Sequence, residues 1–179
     1  MRVIAGQLRG RRLTAPPGRD TRPTSDRVRE ALFSILEPVA GVRVLDLFAG
    51  SGALAIEALS RGAATATLVD CSRAAIAAIR ANLAALELDA EVRREQALSF
   101  LEGARAGARQ YDLVFLDPPY RQASALGGDL SAALIPVLAP GARVVAESDR
   151  RAPLALEVLP LRDERRYGDT LIRIYHGPR

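Results

Sequence analysis

Val42–Leu47 is a short apolar run that breaks into Phe48-Ala49-Gly50-Ser51-Gly52 and resumes as the helix-forming stretch Ala53–Arg61. Six residues rich in valine and leucine, ended by closely spaced glycines, read as a buried strand turning sharply into a helix. A strand buried on both faces belongs to a parallel sheet, and parallel neighbours need helical crossovers. The rest of the chain supplies them. Thr65–Val69 reads as the next strand, and Ser72 caps a long alanine-rich helix reaching Leu86. A strand over Ala90–Arg94, a short helix Ala97–Leu101 and the strand Tyr111–Leu116 follow. A loop and the helix Leu130–Leu138 then lead through Pro140-Gly141 to the strand Ala142–Glu147. Leu154–Leu159 and Thr170–Tyr175 read as a closing strand pair around the polar stretch 162–169. This alternation predicts an α/β fold: a mostly parallel sheet with an antiparallel C-terminal strand and helices on both faces.

At 179 residues the chain suits one domain, divided into an arm (1–20), a helix (21–38) and a core (42–179). In the arm, residues 2–5 and 11–14 read as two strands of a β-hairpin around a turn bounded by Gly6 and Gly10. Thr24 or Ser25 caps the helix, in which Val28, Ala31, Leu32 and Ile35 share a face, and Pro38 stops it. Hydrophobic residues at 49% and charged residues at 26% exclude disorder. No run is long enough to span a membrane and no signal-peptide core follows Met1, so a cytoplasmic monomer is expected. The single cysteine, Cys71, excludes an internal disulfide, and His176 alone leaves too few ligands for a Cys/His metal site. All 25 basic residues are arginine. Residues 1–30 carry eight of them against three acids, whereas residues 31–179 carry 17 against 18. The positive excess thus sits in the first sixth of the chain, either as a solvated tail or as a footprint for a polyanion.

Candidate chemistry lies directly after strands, where ligands bind in such sheets. Gly50-x-Gly52-x-x-Ala55, with Asp70 eighteen residues beyond Gly52, fits a dinucleotide fingerprint. Asp46, facing the loop, argues otherwise: an acid there repels a pyrophosphate. It suits a ligand bearing an ammonium and a sulfonium, the charge pattern of S-adenosylmethionine. Asp70, ending the second strand, can accept both hydroxyls of a ribose or can cap the following helix. Cys71 beside it reads as a small packing residue near an adenosine, since no base accompanies it to make it a nucleophile.

Asp117-Pro118-Pro119-Tyr120 ends the strand expected to neighbour the first one across the switch point of the sheet. An exocyclic base amine is a poor nucleophile because its lone pair is delocalised into the ring. A side-chain oxygen on Asp117 and the Pro118 carbonyl can accept its two N–H bonds and draw the nitrogen toward tetrahedral geometry. Pro118 and Pro119 fix both acceptors, and Tyr120 can stack on the base. Positioning and these polar contacts supply most of the catalysis, and Asp117 can take the released proton.

Together these motifs resemble the class I S-adenosylmethionine-dependent methyltransferases, which implies a Rossmann-like fold with an N-terminal β-hairpin extension. Arg22-Pro23-Thr24-Ser25-Asp26-Arg27-Val28-Arg29-Glu30-Ala31-Leu32-Phe33, with residues 3–13 and Tyr167-Gly168-Asp169-Thr170, narrows the resemblance to the RsmD family. That family consists of bacterial enzymes methylating a guanine N2 in 16S ribosomal RNA. The resemblance implies that Asp46, Phe48, Gly50 and Gly52 cradle the methionine part of the cofactor and Asp70 its ribose. Glu95-Gln96-Ala97 stands where related enzymes often place Gly-Asp-Ala beside the adenine amine, leaving Gln96 and Ala97 for that contact. Thr24 and Arg27 either approach the ligands or serve as a cap and an ion pair.

The guanine must leave its stack to react, which is cheapest in a loop or junction of folded RNA. Arg9, Arg11, Arg12 and Arg19 are the candidate phosphate contacts, which position RNA without reading sequence. With eight aromatics the chain has no platform for generic single-strand binding. A folded surface of 16S rRNA, or of a small-subunit assembly intermediate, is the expected partner. Two rivals remain: an adenine-N6 DNA methyltransferase, weakened by the lack of a separate target-recognition domain, and a non-catalytic RNA-binding assembly factor, weakened by the intact Asp117 turn.

Overall fold

The computed structural model describes residues 1–17 and 25–178, and only the backbone at Tyr120, Arg121, Gln122 and Ser124. The described residues form two compact units, Met1–Glu95 and Gln96–Arg179.

In the first unit, helix α1 (Asp26–Leu36) begins at Ser25, whose Oγ accepts from the Val28 amide at 3.3 Å. Strand β1 (Arg43–Leu47), helix α2 (Ala53–Ser60), strand β2 (Thr65–Asp70), helix α3 (Arg73–Leu86) and strand β3 (Glu91–Arg94) follow. The strands lie in the order β3-β2-β1, both pairs parallel, with Leu47 level with Val69. The turns after β1 and β2 therefore leave the sheet side by side. Val44, Leu45, Leu47 and Leu68 are wholly buried, which is what continuous apolar strands require in a covered parallel sheet.

The N-terminal arm follows a hairpin path without the two expected strands: among the described residues it forms one antiparallel bridge, Arg2 to Arg12. The reason lies in where the backbone groups go. The amides of Ile4 and Ala5 donate to the Glu57 carboxylate at 2.7 and 2.9 Å. Those of Gln7 and Leu8 donate to the Ser60 carbonyl and Oγ. The amides of Val3, Gly10 and Leu13 still donate across the arm to the Arg11, Val3 and Met1 carbonyls, but beyond Val3 the amides turn to α2, so the pairing does not extend into strands.

In the second unit, helix α4 (Ala97–Ala106), strand β4 (Tyr111–Leu116) and helix α5 (Tyr120–Leu134) lead through a 3₁₀ turn (Ile135–Val137) to strands β5 (Leu138–Asp149), β6 (Leu161–Tyr167) and β7 (Thr170–His176). Strands β4 and β5 are parallel, β5 and β7 antiparallel, and β6 pairs with β7 as an antiparallel edge. Three expectations change here. Helix α4 runs five residues beyond the expected Leu101, to Ala106. Helix α5 starts directly after Pro119, in place of the expected loop, and ends at Leu134. Gly127 is no breaker: a Cβ there would lie 2.4 Å from the Ala155 carbonyl oxygen, so the glycine marks a close backbone approach along the buried stripe Ala123, Leu130, Leu134.

The third change concerns the edge strand, which is the polar stretch and not Leu154–Leu159. Four of its charged residues form ion pairs: Arg165 with Asp163 at 3.0 Å, and Glu164 with Arg166 and with Arg173 of β7 at 2.9 Å each. Charged residues suit an edge exposed to water. Leu154, Leu156 and Leu159 are buried in irregular backbone, with the Leu156 amide donating to the Tyr175 hydroxyl and the Val158 amide to Ser131 Oγ. Among the described residues no helix is long and apolar enough to cross a membrane.

Candidate active site

The loop after β1 is built on left-handed backbone. Phe48, Gly50 and Gly52 have φ of 65°, 59° and 79°. For the two glycines this conformation is free, whereas Phe48 bears strain on the order of 1 kcal/mol. The loop is tied to β2: the Ala49 amide donates to the Val69 carbonyl at 3.0 Å, and the Gly50 amide to Asp70 Oδ2 at 2.9 Å. The other oxygen, Asp70 Oδ1, accepts from the Ser72 amide at 2.8 Å. Asp70 thus shapes both the glycine loop and the start of α3. Cys71, beside it, is exposed.

Gly52 caps α2 and has no side chain to satisfy the helix's first amides. Asp46 substitutes for it from within β1, its Oδ2 accepting from the Ala55 amide at 3.2 Å. Only 2% of Asp46 is exposed. Burial, with a smaller push from the Asp70 charge, raises its pKa to about 7, against the lowering by the Ala55 hydrogen bond. Such a buried acid favours a cation beside it and opposes a phosphate. A buried carboxylate acceptor at this place is compatible with the ammonium-bearing end of S-adenosylmethionine.

In the second unit Asp117 is half-buried at the C-terminal end of β4, Pro118 is buried, and Pro119 precedes the first residue of α5. The turn lies between a strand wholly buried at Leu113, Val114 and Phe115 and the first residue of α5. Tyr120 opens α5 through its backbone. Gln96 is exposed at the N-cap of α4, where its side chain makes no capping bond, and Ala97 is buried.

The arm's arginines divide by role. Arg9 and Arg12 are exposed, without side-chain partners among the described residues. Arg11 is also exposed, but its guanidinium donates to the Ala85 carbonyl at the end of α3, at 2.6 Å. Arg2 pairs with Asp26 at 3.3 Å. Arg29, counted in the basic excess, is wholly buried: it donates to the Arg2 carbonyl and to Asp26, and lies 3.9 Å from Glu57. Arg27 is exposed on α1, whereas Arg19 and Thr24 lie outside the described residues.

Sequence reasoning missed Glu57, Ser60 and Asn82. Asn82 is 2% exposed, three residues after Ile79 and four before Leu86 on the buried face of α3. An amide on an apolar helix face was the available signal, because buried polar groups need partners.

The family model described as Conserved hypothetical protein 95 matches residues 1–176. Ribosomal RNA small subunit methyltransferase D of Escherichia coli K12 is 49% identical over 124 residues, covering 68% of this chain and 61% of that relative. The match thus spans about three-fifths of the length of that curated relative. The Bacillus subtilis protein described as "Putative rRNA methyltransferase YlbH" is 40% identical over 185 residues, covering 98% of both chains. The structure described as "Putative methyltransferase yhhF from Escherichia coli" superposes with a TM-score of 0.83 at 39% identity, covering 99% of this chain and 98% of that one. The fold is the Rossmann-like α/β fold of class I methyltransferases, with a mixed, mostly parallel sheet and flanking helices. With its glycine loop, its buried Asp46 and its Asp-Pro-Pro-Tyr turn, the chain belongs to the RsmD-like family of S-adenosylmethionine-dependent rRNA methyltransferases.

Proposed function

We propose that this chain transfers a methyl group from S-adenosylmethionine to the exocyclic N2 amine of one guanine in 16S ribosomal RNA, in the cytoplasm, on the assembled or assembling small subunit. The observation that carries this reading is the turn Asp117-Pro118-Pro119-Tyr120, set between the buried end of β4 and the start of α5. It offers a carboxylate and a proline-fixed carbonyl to a planar amine.

In this reading Asp46, Phe48, Gly50 and Gly52 hold the methionine part of the cofactor, Asp70 and Cys71 lie at its ribose, and Gln96 and Ala97 meet the adenine. Each Asp70 oxygen has more than one acceptor direction, so its bonds to Gly50 and Ser72 are compatible with ribose hydroxyls. When bound, the cofactor supplies a methyl group on a positively charged sulfur. Asp117 and the Pro118 carbonyl accept the two N–H bonds of the guanine amine and orient its lone pair, and Tyr120 stacks on the base. The nitrogen gains the methyl and gives up one proton, for which Asp117 is the acceptor. Arg9 and Arg12, exposed on the arm, contact phosphates around the extruded base, as Arg11 and Arg19 do in the same reading.

Replacing Asp117 separates chemistry from binding. D117A is expected to abolish transfer of labelled methyl to small-subunit RNA while leaving RNA affinity within about twofold, since base contacts are few beside phosphate contacts. RNA binding by the wild type with no transfer to any nucleic acid would overturn the enzyme reading in favour of an assembly factor.

A further inference from the structure

Asn82 joins two parts of the first unit that the function treats separately. Its Oδ1 accepts from the Thr14 amide at 2.8 Å, and its Nδ2 donates to the Thr14 carbonyl at 2.9 Å and to the Ser51 carbonyl at 2.9 Å. The side chain thus copies a strand partner for Thr14, at the end of the arm, and spends its remaining N–H on the middle of the glycine loop. The amide must face this way, because a flipped one would set its oxygen against both carbonyls. A second, weaker contact runs in parallel, from Ser51 Oγ to Met1 Sδ at 3.8 Å. The other attachments of the arm, at Asp26, Arg29, Glu57, Ser60 and Ala85, touch helices only and bypass the loop.

We propose that Asn82 is a positioning residue that couples the cofactor loop to the arginine-bearing arm, so that filling the loop steadies the arm for RNA. The proposal rests on the reading of the loop as the S-adenosylmethionine site. Ser51 lies between Gly50 and Gly52, so a ligand on their backbone narrows the motion of the Ser51 carbonyl. Asn82 passes that restriction to Thr14 through two bonds. Coupling of this kind is reciprocal: an arm held by RNA favours the ligand-ready loop by the same factor.

Hydrogen exchange on the full chain tests this, with and without S-adenosylhomocysteine, which keeps the ammonium and lacks the transferable methyl. In the wild type the ligand is expected to slow exchange at residues 49–53. It should also slow exchange at the hydrogen-bonded arm amides of Val3, Gly10 and Leu13 by about fivefold or more. In N82A the loop should still respond, and the arm's response should fall to at most the small part carried by the Ser51–Met1 contact. T14P, which removes one of the two bonds between Asn82 and Thr14 and leaves α3 intact, should reduce the arm's response while the loop still responds, and serves as the test should N82A fail to fold. A wild-type response confined to residues 49–53 would overturn the coupling. An arm response that survives undiminished in both variants would overturn the assignment to Asn82. No response at residues 49–53 would overturn the cofactor reading itself, and the coupling with it.

Discussion

Asp46 serves two purposes whose requirements conflict. It caps α2 in place of the side chain Gly52 lacks, which any hydrogen-bond acceptor could do, and it holds a titratable charge in a dry site. Its pKa of about 7 in the folded chain, against 3.8 as the ordinary value, sets the sign of a pH effect. Between pH 4 and 7 the folded state keeps a proton that the unfolded state releases, so stability falls as pH rises through that window and levels off above it. D46N keeps an acceptor for the Ala55 amide and removes the charge. It is expected to unfold at higher temperature than the wild type at pH 8, by a margin equivalent to as much as about 4 kcal/mol, and to match it near pH 4. A margin that does not change with pH would show that the ionised carboxylate is not what destabilises the ligand-free fold. The cost tolerated at this position is intelligible if a cationic ligand relieves it.

At the scale of elements, the arm and α2 behave as one piece. Glu57 is buried, accepts from two arm amides and pairs with Arg61 at 2.9 Å. E57Q leaves Arg61 without its buried carboxylate and presents an amide N–H to an arm N–H, so it is expected to lower stability by about 3 kcal/mol in urea unfolding. A loss below about 1 kcal/mol would mean that the arm is held elsewhere. The anchoring also shows what could be read from the sequence. The β1–loop–α2 segment was legible because each signal was local: an apolar run, glycines and a helical stretch. Ser72 was legible as a cap for the same reason, and Ser25 as one of two candidates beside Thr24. The shortness of the arm's pairing was not, because the amides of Ile4, Ala5, Gln7 and Leu8 go to Glu57 and Ser60, more than fifty residues away. Helix α5 was obscured by Gly127, whose purpose appears only once Ala155 packs against it. Strand β6 was hidden by charges that make sense at an edge and only after β7 pairs with it. Of the candidate site, the placement of Asp46 near the end of β1 and of Asp117 just after β4 was legible, whereas Asn82 needed its three bonds to Thr14 and Ser51, in distant segments, to show what it holds.

At the scale of the whole molecule, the net charge of +4 overstates the uniformity of the surface. Among the described arginines of residues 1–30, Arg29 is buried and Arg2 is paired, and on the arm Arg9 and Arg12 are exposed cations without partners among the described residues. Replacing both with alanine should weaken RNA binding and reduce the slope of log affinity against log salt by about 2, one unit for each phosphate no longer neutralised. Replacing Arg11 should change that slope less, because its guanidinium already serves the Ala85 carbonyl. An unchanged slope in the Arg9/Arg12 double variant would remove the arm from the RNA interface. The placement of one methyl on a guanine N2 of 16S rRNA is tested most directly by mass spectrometry of nucleosides from that RNA in cells lacking this gene. The predicted result is the loss of one N2-methylguanosine, restored by the wild-type chain and not by D117A. An unchanged N2-methylguanosine content, or a loss of methyl from adenine instead, would contradict it.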